Sequence, residues 1–153
     1  MSKPKTNDAP AKAASPLSTA DHLLRQGWAS IAVWMAVGLL LEGLLGYKIP
    51  AYLNDPQRRE LFRLGHTHGT LLGILLVVAA LVLQRGAAVP KAALTALRAG
   101  AVLMPLGFFI AGIWHTESDP GLAVWLVPPG ALLVIYAAVA FTLAHFKKST
   151  PDD

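Results

Sequence analysis

Cysteine is absent from the 153 residues, which excludes disulfides, thiolate metal sites and cysteine nucleophiles. Charge is scarce too: Asp, Glu, Lys and Arg make up 14% of the chain, against about 25% in an ordinary soluble domain. Hydrophobic residues fill 54% of it, and apolar stretches approach the roughly 20 residues that cross a bilayer. These proportions exclude an ordinary soluble enzyme and give an integral membrane protein. A net charge of +4 would in a soluble chain raise nucleic acid as a partner. In a membrane protein, loop lysines and arginines set orientation instead. No nucleic-acid partner is expected; the lipid bilayer is the first one.

The pattern predicts an all-α fold, an integral membrane four-helix bundle with a short interfacial helix before the first span. Residues 1–16, rich in Lys, Ala, Pro and Ser, read as a disordered tail. Residues 17–148 hold the bundle, with spans at about 28–47, 64–84, 93–114 and 121–145, and 149–153 form a second tail. Ser18 or Thr19 caps the interfacial helix, and Trp28 anchors the membrane boundary. Tyr47-Lys-Ile-Pro50 makes a poor signal cleavage site, so the first span is expected to stay as an anchor. Asp55 caps the next helix with Pro56 in its first turn. Pro105 is expected to kink the third span, and Pro128-Pro129-Gly130 to interrupt the fourth.

Basic residues decide orientation. Lys3, Lys5, Lys12, Arg25, Arg85, Lys91, Arg98, Lys147 and Lys148 fall on one side, and Lys48, Arg58, Arg59 and Arg63 on the other. The excess places both termini in the cytoplasm of a multi-pass protein of the cell's inner (cytoplasmic) membrane. Glu42, His66, His68, His115, Glu117 and Asp119 then gather at the outer ends of the helices. Imidazole and carboxylate are the usual donors to Zn, Cu, Fe and Mn. His66, His68, Glu42 and His115 are therefore the candidate metal ligands, and His66, His68 and His115 the candidate cofactor ligands.

Each has a plainer reading. Glu42 is equally a helix-end carboxylate or an interhelical hydrogen bond. His66 and His68 are equally structural hydrogen bonders, and His115 suits a structural role rather better than a ligand's. Glu117 and Asp119 suit a solvated loop, and His22 and His145 an exposed surface. Counting back from Arg85 sets the start of the second inserted segment near Leu64, with His66 and His68 just inside the boundary. The two rings are about 200° apart around the helix. Gly65, Gly69 and Gly73 recur every four residues and form a narrow, slowly drifting stripe of the kind that lets another helix approach closely.

The segment Gly65-His-Thr-His-Gly69 resembles small four-helix membrane proteins similar to a fragment of subunit I of the heme-copper oxidases, in which an H-x-H segment opens a membrane helix. That resemblance implies heme or a transition metal in a redox or electron-transfer setting. His66 or His68 would be the axial ligand and His115 a possible partner. Over residues 35–85 the chain is also similar to hydroxylaminobenzene mutase. Pro50, Asn54-Asp55-Pro56 and His66-Thr-His68-Gly69-Thr-Leu-Leu-Gly73 follow the order of its motifs, with His68 where that enzyme has glutamate. This similarity implies a cofactor-free isomerase, with His66 as general acid or base helped by Glu42. The remaining reading is a non-catalytic accessory subunit of a larger membrane complex, or a homo-oligomer, packed through the glycine stripe.

Overall fold

A computed structural model of the chain describes residues 18–116 and 119–148. The expected tails at 1–16 and 149–153, and Glu117, lie outside the described residues. The regular elements are α1 Thr19–Gly46, α2 Pro50–Leu53, α3 Pro56–Gln84, α4 Lys91–Ile113, a 3-10 helix Leu122–Leu126, and α5 Val127–Lys148. Four runs are long and apolar enough to cross a membrane: α1, α3, α4, and the 3-10 helix with α5 through His145. The protein is an all-helical, multi-pass membrane bundle.

Local chemistry sets the boundaries. Ser18 Oγ accepts from the Asp21 backbone N–H (3.2 Å), while the Asp21 carboxylate accepts from the Ser18 N–H (3.1 Å). This reciprocal cap satisfies two donors that a helix start leaves open. The expected interfacial helix is not a separate element. It forms the first turns of α1, whose 28 residues extend about 42 Å, well past the roughly 30 Å hydrocarbon core. Asp55 caps α3 by accepting from the Arg58 N–H at 2.9 Å, with Pro56 in the first turn.

The break expected at Pro128-Pro129-Gly130 falls just before it, where the 3-10 helix becomes α-helix at Val127. Both prolines then occupy the first turn of α5, where a missing N–H leaves no bond unmade. Pro105 sits inside α4 and is fully buried.

Packing runs in succession: α1 on α3, α3 on α4, and α4 on α5. Glycines set each antiparallel register. The Trp34 indole of α1 fills the space where Gly69 of α3 lacks a side chain, and the His66 ring of α3 does the same over Gly38 of α1. Lower down, a Cβ on Gly73 would lie 3.1 Å from the Gly27 carbonyl oxygen. The stripe therefore does not serve one partner. Gly69 and Gly73 meet α1, whereas Gly65 faces Pro105 and Phe109 of α4, because each four-residue step turns the helix by about 40°. On the far side, a Cβ on Gly100 would come within 2.7 Å of the Gly130 carbonyl oxygen, closing α4 on α5.

Gly69→Ala is expected to destabilise the bundle by about 1–3 kcal/mol, the usual cost of overpacking. Gly43→Ala, with nothing within 4 Å of the added carbon, is expected to be neutral. Reversible unfolding in mixed micelles compares the two, and equal stability of both variants would remove the interlock.

Candidate functional site

Above the Gly38–His66 contact, α1 and α3 enclose a cleft of about 860 Å³. Helical periodicity builds both walls. Met35, Gly38, Leu41, Glu42 and Leu45 line it from α1, and Pro56, Arg59, Glu60, Arg63, His66 and Thr67 from α3. Residues three and four apart share a face, so the α1 wall is mostly apolar and the α3 wall mostly polar. Tyr52 of α2 closes the upper end. Arg63 pairs with Glu60 at 3.3 Å, both well exposed, so this ion pair adds little stability.

His66 is the half-buried residue at the cleft floor. Its Nδ1 lies 2.6 Å from the Trp34 carbonyl oxygen. A carbonyl only accepts, so Nδ1 carries hydrogen, and in the neutral ring Nε2 keeps a free lone pair. Among the described residues no group bonds Nε2. A histidine oriented through one nitrogen, with the other open, is the arrangement of metal-ligating imidazoles and of general bases. Counting along α3 alone sets His66 near the edge of the inserted segment. The α1–α3 register instead sets it opposite Gly38, halfway along the apolar stretch Trp28–Tyr47.

The other candidates separate. Glu42 is exposed and lines the same cleft as His66. His68 turns to the α4 side, where its ring lies 5.2 Å from that of Phe108 and its Nδ1 donates to the Leu64 carbonyl at 2.8 Å. The 200° separation read from the sequence thus holds. His115 is 96% removed from solvent at its side chain and gives Nε2 to both Asp55 carboxylate oxygens, at 2.8 and 3.0 Å. Its Nδ1 is buried without a partner. Asp119 accepts from the Gly121 N–H at 2.7 Å. His22 and His145 are exposed. Among the described residues no three His, Asp or Glu side chains come together to hold a metal ion. Residues gathered at one end of a bundle do not thereby share one face.

Several residues escaped the sequence reading. Arg59 and Arg63 registered only as orientation charges, although Arg59, Arg63 and His66 at i, i+4 and i+7 fall on one helical face. Asp55 registered only as a cap. It also binds His115 across 60 residues of chain, and it lies 3.6 Å from the Arg58 Nε. Arg58 further donates to the Gly112 carbonyl through Nε and to the Ala51 carbonyl through Nη1, each at 3.2 Å. Together they clasp the start of α3 to the end of α4.

The Arg58 backbone N–H does most to hold the Asp55 carboxyl below its ordinary value of 3.8. Partial burial opposes it, and His115 and the Arg58 guanidinium add to the lowering. A depressed carboxylate pKa contributes stability above the unfolded value, which is lost as pH falls through the folded one. Thermal unfolding followed from roughly pH 6 to pH 3 should therefore show an acid-side loss that Asp55→Asn flattens. An identical pH profile in the variant would remove Asp55 as its source. Comparison of the chain with protein-family models, curated proteins and solved structures found no match, so the chemistry of the cleft rests on its own geometry.

Proposed function

We propose that the α1–α3 cleft binds heme, with His66 as the nitrogen ligand, in a redox or electron-transfer role within the membrane. The observation that carries this reading is the His66 ring itself. It is held at Nδ1 by a backbone carbonyl and unbonded at Nε2, at the floor of a cleft with one mostly apolar and one mostly polar wall. A bare ion needs several protein donors, and no three converge among the described residues. Heme brings its own ring nitrogens and asks the protein for an axial base. Met35, Leu41 and Leu45 offer apolar contact to a flat macrocycle, and Arg59 and Arg63 suit its two carboxylates. The cleft volume lies within the roughly 300–1,000 Å³ of ordinary small-molecule sites. When bound, heme would supply one-electron chemistry. His66 would orient it, and Arg59 and Arg63 would neutralise its acids.

The basic residues favour both termini in the cytoplasm, with the cleft opening toward the outer face of the inner membrane. The flanking spans are only 11% buried in their apolar windows. Lipid, a second copy or a larger assembly would cover these faces of α1 and α5. Glu42 beside His66 supports a second reading, cofactor-free acid–base isomerisation of a small aromatic substrate entering from the bilayer.

Hemin titrated into the purified protein is expected to give a sharpened, shifted Soret band. His66→Ala should abolish the shift. Arg59→Ala and Arg63→Ala should each weaken binding about tenfold, equivalent to about 1.4 kcal/mol. Equal hemin uptake by wild type and His66→Ala would remove the heme reading. Conversion of a hydroxylamino-arene by membranes, lost in His66→Ala, would put the isomerase in its place.

A further inference from the structure

Tyr52 stands between two spaces. It lines the upper end of the α1–α3 cleft, and it also lines a smaller recess of about 250 Å³ with Leu44, Ile49, Phe62 and Ile113. The side chain is nearly buried, at 6% exposure, and stacks on Phe62 with ring centroids 6.5 Å apart. Its carrier, α2, is only four residues long and is tied differently at its two ends.

Upstream, Lys48 has φ 53°, a left-handed conformation that a residue with a Cβ adopts at a cost of about 1–3 kcal/mol. Downstream, the Arg58 guanidinium bonds the Ala51 carbonyl of α2 and the Gly112 carbonyl of α4. Asp55 meets the buried His115 just beyond α4. Because His115 Nδ1 has no partner, the Asp55 pair is the hydrogen bond that holds the ring. The other acidic side chain described near it, Asp119, is engaged with the Gly121 N–H.

We infer that α2 is a lid on the cleft, hinged at Lys48 and latched to α4 by Arg58, which the Asp55–His115 pair at the start of α3 holds in place. Tyr52 is the partition that swings toward the recess when the latch opens. A strained joint at one end and a side-chain latch at the other are what a short segment needs to open locally, its own turn loosening as it leaves the cleft. The recess supplies the space for the Tyr52 ring. This inference rests on the reading of the cleft as a binding site, since a lid controls entry to something.

Amide exchange in the full chain, held in detergent micelles or nanodiscs, tests it. The Tyr52 and Leu53 amides bond the Ile49 carbonyl and the Asn54 amide bonds the Pro50 carbonyl, each at 3.0 Å, so α2 has protection to lose. His115→Ala should raise exchange at these three amides about tenfold, the factor that a loss of 1.4 kcal/mol gives, while Leu72–Ala80 stay as in wild type. His115→Gln, which keeps a side-chain donor, should restore part of the protection. If His115→Ala does not fold, Arg58→Gln decides the matter, because it removes the guanidinium that bonds the Ala51 and Gly112 carbonyls. Hemin release should accelerate about tenfold in the unlatched variants. Unchanged exchange over 52–54 in folded variants, or a rise spread evenly into the core, overturns the lid. If wild type takes up no hemin, the heme reading falls and the exchange result alone decides the lid.

Discussion

Two rings pressed onto two glycines hold α1 against α3, and the polar chemistry of the protein depends on that contact. Lipid tails are as apolar as leucine, so membrane helices associate through close fit rather than through escape from water. Trp34 over Gly69 supplies fit, and its indole also meets Phe109 of α4 edge to face. His66 over Gly38 supplies fit and also fixes the direction of an imidazole, through the Trp34 carbonyl one helical turn away along the same interface. Fold and site therefore share one contact. A side chain introduced at Gly38, itself on the cleft wall, would displace the ring on which the cleft is built.

The chain carries two polar centres at the α2 end, and they differ in kind. The Arg58–Asp55–His115 clasp pairs carboxylate with imidazole and guanidinium with two carbonyls, and its one unpaired nitrogen, His115 Nδ1, is buried. The cleft leaves His66 Nε2 unclaimed and keeps Glu42 exposed. A buried, mostly paired network stiffens a structure, whereas an unpaired nitrogen on a residue that lines a cleft is chemistry in reserve. The proposed binding role falls on the second centre for that reason.

Much of the architecture was legible from residue order. Four apolar runs, the Ser18 cap and the Asp55-Pro56 start of α3 follow from local rules that act within a few residues. The opposite facing of His66 and His68 follows from helical geometry alone. What could not be read is what long-range pairing decides. Asp55 finds His115 across 60 residues of chain, and neither residue announces the other. The Gly65–Gly73 stripe was visible, but not that its slow drift would hand Gly65 to α4 and leave its companions to α1. The grouping of Glu42, His66, His68 and His115 judged level along the bundle and missed rotation about each axis. The Arg59–Arg63–His66 face obeyed a visible period, yet reading those arginines for their sign alone concealed it.

The register of α1 on α3 bears on the bilayer as well as on the site. Gly38 opposite His66 sets the apolar run Trp28–Tyr47 against a stretch of α3 that begins near Pro56 and includes Arg59, Glu60 and Arg63. The strictly apolar part of α3, from Leu71 to Leu83, continues past the level of Trp28. Two neighbouring helices thus offer the same leaflet hydrocarbon-compatible surfaces that are offset by several residues. Lipid cannot match both, so acyl chains around this pair must tilt or shorten, at a cost of fractions of a kcal/mol per Å. A bilayer around this pair would thin locally, and that thinning would bring headgroups and water toward the mouth of the cleft.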